Sequence, residues 1–172
     1  QRRAGHGGVL APGRCGGSEA CVTQTPEDAF REARNRLQGH PKFRAGSPTH
    51  GHPVIAVFIG GDSRHYEVTP AFAEALTGQV AAACDAVHGW CLVTTSRRTS
   101  PAVERALSER LNRSPRCRLL LIATRDQLDG TMEGMVASAD AAVVTGESIS
   151  MVSEVCAGGR PVVVVEPPLR GT

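Results

Sequence analysis

From residue 54 onward, five short apolar runs recur with helical patterns between them: VIAVFI (54–59), CLVTTS (91–96), RLLLIAT (118–124), AAVVT (141–145) and PVVVVE (161–166). Such unbroken runs fit strands buried on both faces rather than strands with one wet face. Thr69-Pro70 opens a helix that runs to about His88, and Ser100-Pro101 opens another through Leu111. In both, a hydroxyl caps the first turn and proline takes the first helical position. Shorter helices are expected over Met132 to Ser138 and Ile149 to Ala157. Strands alternating with helices predict an α/β fold, a doubly wound parallel sheet of about five strands. The expected strand order is 3-2-1-4-5, with the first strand central, because an edge strand has no need of a continuous apolar run. Ligands of such sheets bind beyond the carboxyl ends of the strands, at the switch point, so the loops after strands one, two and four are the informative ones.

The first 52 residues differ in character. Gly, Pro, His and Arg dominate, and one helix stands out at about 26–38, with Thr25 as N-cap, Pro26 at the first helical position, Asp28 completing a capping box and Gly39 as the stop. Residues 40–53 are turn-rich and read as a linker, so the expected division is an irregular segment over 1–52 and one domain over 53–172. A chain of 172 residues has room for one domain of ordinary size. Its 41% apolar and 21% charged residues are globular in balance. Nineteen Lys and Arg against seventeen Asp and Glu give a net charge of +2, too even to suggest a nucleic-acid surface. No apolar run approaches the ~20 residues of a membrane span, and no apolar leader core is seen. Of six cysteines, Cys84, Cys91, Cys117 and Cys156 lie in or beside apolar stretches as small hydrophobes, and Cys15 and Cys21 fit no zinc spacing well. Reduced thiols throughout suggest the cytoplasm.

The loop after strand one reads Gly60-Gly61-Asp62-Ser63-Arg64-His65-Tyr66. Its glycines permit a close backbone approach, but it is neither G-x-G-x-x-G nor a P-loop. The loop after strand two, with Ser96, Arg97, Arg98 and Thr99 ahead of a helix, combines hydroxyls, guanidinium groups and helix N–H groups, a combination suited to phosphate. The alternatives are a plain strand-to-helix turn after strand one, a capped helix with solvent-exposed arginines after strand two, and a solvated polar helix face after strand four. After strand four, Gly146-Glu147-Ser148 leads into a helix. There Ile149, Val152 and Cys156 are expected on one face with Val155 beside it, and Ser150, Ser153 and Glu154 on another. Glu154, one turn in, suits a sugar diol. No Ser-His-Asp order, HExxH or D-x-D is present, and the catalytic residue is left unassigned.

Together, IGGDSRHY, LVTTSRRTSP and SADAAVVTGESISMVSEVCAGGRPVVVVE resemble the ELM1/GtrOC1-type glycosyltransferase-like family over roughly residues 53 to 167. That family takes its name from a plant mitochondrial-fission protein, and most of its members are bacterial. The last motif is also similar to the C-terminal half of GT-B glycosyltransferases, in which a helix Glu holds the donor ribose and the preceding turn meets the diphosphate. The resemblance implies a Rossmann-like half of a GT-B architecture. It gives Glu154 the ribose role and Ser148 and Ser150 the phosphate role, with Gly60 and Gly61 approaching the diphosphate from the other side. The substrate-binding set is then Gly60, Gly61, Asp62, Ser63, Ser96, Arg97, Arg98, Thr99, Glu147, Ser148, Ser150 and Glu154. In place of the family's Asn-Pro stretch, the chain reads Asp129-Gly130-Thr131-Met132-Glu133-Gly134.

The function so implied is nucleotide-sugar binding in a glycosyltransferase, with a UDP-linked donor as substrate, no metal and no separate cofactor. A second GT-B domain on the N-terminal side is the implied structural partner, because this chain has room for one of the two. The implied setting is cytoplasmic, peripheral at the inner membrane. Two alternatives stay open: a non-enzymatic partner-binding protein of the same family, and a Rossmann-like nucleotide-binding module with another activity.

Overall fold

The computed structural model describes residues 26–44, 51–126 and 128–171. Strands β1 (Val54–Ile59), β2 (Trp90–Thr95), β3 (Cys117–Leu121), β4 (Ala141–Thr145) and β5 (Val162–Val165) form one sheet in the order β3-β2-β1-β4-β5. Every pairing is parallel, and β1 lies at the centre, as its apolar run predicts. The pleat sends Val57 and Ile59 to one face and Ala56 and Phe58 to the other, and all four are fully buried. Both faces are therefore apolar, which is why the run has no polar alternation.

One face is covered by α2 (Pro70–Ala86) and α3 (Pro101–Leu111), which bury Ala73, Val80, Val103, Leu107 and Leu111. The expected caps are present: Thr69 Oγ1 accepts from the Phe72 N–H at 3.2 Å, and Ser100 Oγ from the Val103 N–H at 3.4 Å. The other face is covered by α4 (Thr131–Ser138) and α5 (Ile149–Ala157), through Met135, Val136 and Val155. Outside α4 lies α1 (Pro26–Gln38), whose Ala33 and Leu37 are buried. Its expected cap, Thr25, falls outside the described residues, as do Cys15 and Cys21.

Several limits differ from expectation for local reasons. β3 ends at Leu121 because the chain turns at once: the N–H groups of Arg125 and Asp126 donate to the Ile122 carbonyl, and the Asp126 carboxylate accepts from the Ile122 N–H at 2.9 Å. α2 ends at Ala86, where His88 takes a left-handed conformation (φ 52°) and the Gly89 N–H returns to the Cys84 carbonyl. The docked face of α5 is not the expected one. Val155 is buried with Met151 and Val152 partly so, whereas Ile149 is 81% exposed and Cys156 is exposed. Only the side of α5 turned toward β4, α4 and β5 meets neighbouring elements. Cys84, Cys91 and Cys117 are buried. Hydrogen bonding with Cys117 and Cys84, together with burial, holds the Cys91 thiol protonated far above its usual range.

Candidate functional site

At the carboxyl ends of β2 and β4 lies an open cleft of about 700 Å³. One wall is the β2–α3 loop, with Ser96, Arg97 and Arg98. A second wall is the first turn and a half of α5, with Ser148, Ser150, Met151 and Glu154. Thr94 and Thr95 belong to its inner lining and are buried at the end of β2. The sheet order puts β2 and β4 on either side of β1, so two segments some fifty residues apart in sequence face one another.

The β2–α3 loop is pinned from beneath. Thr99 Oγ1 accepts from the Ser96 N–H at 3.0 Å and donates to the Gly60 carbonyl at 2.7 Å, while the Arg98 N–H donates to Ser96 Oγ at 3.1 Å. This tight turn leaves the Arg97 and Arg98 side chains exposed on the rim. Ser148 stands at the N-cap of α5 with 7% of its surface exposed. Its side chain makes no capping bond and lies 3.4 Å from Ser150 Oγ. The first N–H groups of α5 are thus left without a side-chain acceptor from the cap. Ser150 and Glu154 are exposed.

The remaining residues expected at the site lie beside the cleft. Gly60 and Gly61 are buried and do not line it. A Cβ on Gly60 would fall 1.5 Å from Glu147 Oε1, and one on Gly61 would fall 2.1 Å from the Arg98 carbonyl oxygen. Their bareness lets the loop after β1 pass under the Arg98–Thr99 peptide and against Glu147. The Gly60 N–H donates to Thr145 Oγ1 at 2.8 Å. Asp62 accepts from the Val68 N–H and pairs with Arg170 at 3.0 Å, and Ser63 Oγ accepts from the Tyr66 N–H at 3.1 Å. Thr99 is buried in the turn described above. Glu147 lies behind Ser148, with both carboxylate oxygens shielded from solvent and no hydrogen-bond partner among the described residues.

A third wall was not assigned from the sequence. The segment between β3 and α4 contributes Asp126, Leu128, Asp129, Gly130, Thr131, Met132 and Glu133. Gly130 caps α4 in the left-handed region (φ 75°), a signal that the Asp-Gly pair carries in the sequence. Burial pushes the Asp126 carboxyl up, but the Lys42 ammonium at 2.6 Å and the Ile122 N–H outweigh this and hold it below the usual carboxylate value. The cleft thus has a cationic, hydroxyl-bearing side and an acidic side, with Met132 and Met151 between strand ends and helices. It can take a ligand that is anionic at one end and hydroxyl-rich at the other.

Two comparisons with known proteins bear on this site. A family model described as mitochondrial fission ELM1 matches residues 18–172, which include all three walls. The mitochondrial fission protein ELM1 of Arabidopsis thaliana is 31% identical over 116 residues, covering 66% of this chain and 25% of that relative. The chain therefore spans about a quarter of the length of the curated relative it matches.

Proposed function

From the premise that the chain belongs to the mitochondrial fission ELM1 family, we propose that its cleft binds a nucleotide sugar, as the donor-binding half of a GT-B-type glycosyltransferase with a UDP-linked donor. One observation carries the reading: Ser96, Arg97 and Arg98 line the same cleft as Ser148, Ser150 and Glu154. In this reading the donor diphosphate lies between the guanidinium groups and the N-terminus of α5, where fixed N–H dipoles and positive charge favour it. Glu154 accepts hydrogen bonds from the ribose diol. In sugar transfer, the bond from the anomeric carbon to the diphosphate oxygen breaks and negative charge grows on that oxygen. Arg97, Arg98 and the helix end would stabilise that charge in place, lowering the barrier to departure. Gly60, Gly61, Asp62, Ser63, Thr99 and Glu147 support the loops rather than touch the ligand.

Calorimetry with uridine, UMP and UDP tests the proposal on the intact chain and on the Arg97→Ala and Glu154→Ala variants. The expected result is binding of UDP in preference to adenosine nucleotides or NAD, with both variants weaker. A preference for NAD or ATP, or equal affinities in all three proteins, overturns it. The latter would leave the alternative, a non-enzymatic partner-binding protein of the same family, as the better reading.

A further inference from the structure

Three buried thiols meet between α2 and the sheet, and the cleft uses none of them. Cys84 lies in the last turn of α2, Cys91 near the start of β2 and Cys117 at the start of β3. All three belong to the apolar core on the α2–α3 face, with 0%, 1% and 3% of their surface exposed. We propose that Cys91 and Cys117 are a dithiol that a hydroperoxide oxidises to a disulfide, with Cys117 reacting first. The contacts that make the pair involve only α2, β2 and β3.

Cys91 and Cys117 are direct partners in the parallel ladder between β2 and β3, and both side chains enter the same core. Neighbouring strands run about 4.8 Å apart, within the roughly 4.4–6.8 Å between Cα atoms that a disulfide bridges. The register shifts directly after this pair, between Cys91 and Leu92, and such a bulge raises the local twist and frees the pair from the regular ladder. Cys91 also hydrogen bonds with Cys84, but its single S–H serves one neighbour at a time. The surroundings select Cys117. The hydrogen bond from Cys91 holds the Cys117 thiol below its usual value against the effect of burial, and the Arg44 guanidinium adds to the lowering. The Cys84 thiol is lowered by the same kind of bond, but there the Asp85 carboxylate opposes the Arg116 charge. Cys117 also borders a cavity of about 400 Å³ lined by Lys42, Arg44 and Arg125, which gives a small oxidant room to approach.

In the first step the Cys117 thiolate attacks a peroxide oxygen. The S–O bond forms, the O–O bond breaks, and the sulfur's two electrons leave with the departing hydroxide or alkoxide. In the second step the Cys91 sulfur attacks the sulfenic acid on Cys117. The S–S bond forms, the S–O bond breaks, and the hydroxyl departs as water with the Cys91 proton. The peroxide is the oxidant and is reduced to water or an alcohol.

Peptide mapping of the intact chain after treatment with hydrogen peroxide tests this, with circular dichroism confirming that the chain stays folded. Trypsin leaves Cys84 and Cys91 together in residues 65–97 and Cys117 in the dipeptide Cys117-Arg118, so the two possible bonds differ in mass. The expected product joins those two peptides and leaves Cys84 free for alkylation once the chain is unfolded. It should form at least about tenfold faster than the exposed Cys156 is oxidised. In Cys91→Ala, Cys117 should be trapped as a sulfenic acid by dimedone, and in Cys117→Ala the cross-link should be lost. A bond between Cys84 and Cys91 in place of the cross-link overturns the proposal. So does oxidation of Cys156 while the three buried thiols stay reduced. Mapping the unsubstituted chain already separates these outcomes, so a variant that fails to fold does not remove the test.

Discussion

At residue scale, the two adjacent glycines after β1 separate two kinds of crowding. A methyl at Gly61 meets backbone: the Arg98 carbonyl carbon and oxygen and the Thr99 nitrogen all lie within 2.6 Å. Backbone of a pinned turn cannot step aside, so Gly61→Ala should cost about 1–3 kcal/mol in a urea titration. It should also weaken UDP binding by tilting the turn that presents Arg97. At Gly60 the obstacle is the end of the Glu147 side chain, which can rotate away. Gly60→Ala should therefore be milder, and adding Glu147→Ala should recover stability rather than lose more. If the double variant is worse than the sum of the singles, Glu147 has a partner other than the glycine. Glu154→Ala should weaken uridine, UMP and UDP alike by roughly 1.5–3 kcal/mol, because it removes charge-assisted bonds to the sugar. Arg97→Ala should cost more with each added phosphate. Affinity measured across that series gives two different slopes if the roles are as assigned.

At the scale of elements, α1 behaves as part of the packed unit. Leu37 is fully buried, Arg34 Nε donates to the Ala137 carbonyl at 3.1 Å, and the Ala33 carbonyl approaches so closely that a Cβ on Gly134 would fall 2.7 Å away. Leu37→Ala should cost about 2–5 kcal/mol in the urea transition of the whole chain, since the cavity opens beneath α4 and not in a detached segment. A separate early transition, with the main one unmoved, would show that α1 unfolds independently. The helix starts Thr69-Pro70 and Ser100-Pro101 were legible because capping is local chemistry. The face of α5 was not. Its spacing offers Ile149, Val152 and Cys156 as well as Val152 and Val155, and only the packing of α5 against β4, α4 and β5 selects among them.

At the scale of the whole molecule, the pH profile reports a link between distant segments. Lys42, beyond α1, meets Asp126 in the turn after β3. The Asp126 carboxyl lies below its unfolded value of about 4 in the folded protein. Its contribution is therefore fully present above that value and is lost as pH falls through the lower, folded one. Lys42→Met should cost about 0.5–1 kcal/mol near neutral pH, with the difference from wild type vanishing at the acid end. Urea midpoints measured down the pH scale check this, and a difference that persists in acid would assign the loss to packing. Among the described residues, no helix is long and apolar enough to cross a membrane.

The sequence by itself determined the α/β class, the parallel strands, the central place of β1 and two of the cleft's walls. These depend on periodicity, caps and handed crossovers, which act within a few residues or through a rule common to all such sheets. It also carried the family, through three ordered motifs. Tertiary structure alone decided what each loop residue faces. Gly60 and Gly61 are bare because of Glu147 and Arg98, residues remote in the chain, and nothing near the glycines encodes which neighbour will arrive. The third wall, from Asp126 to Glu133, has no ligand-binding motif of its own; it joins the cleft because β3 follows β2 across the sheet and its connection to α4 comes back past the strand ends. Local sequence fixes elements through short-range hydrogen bonding and burial pattern. The company an exposed side chain keeps depends on how complete elements pack, and that is settled only when the whole sheet has formed.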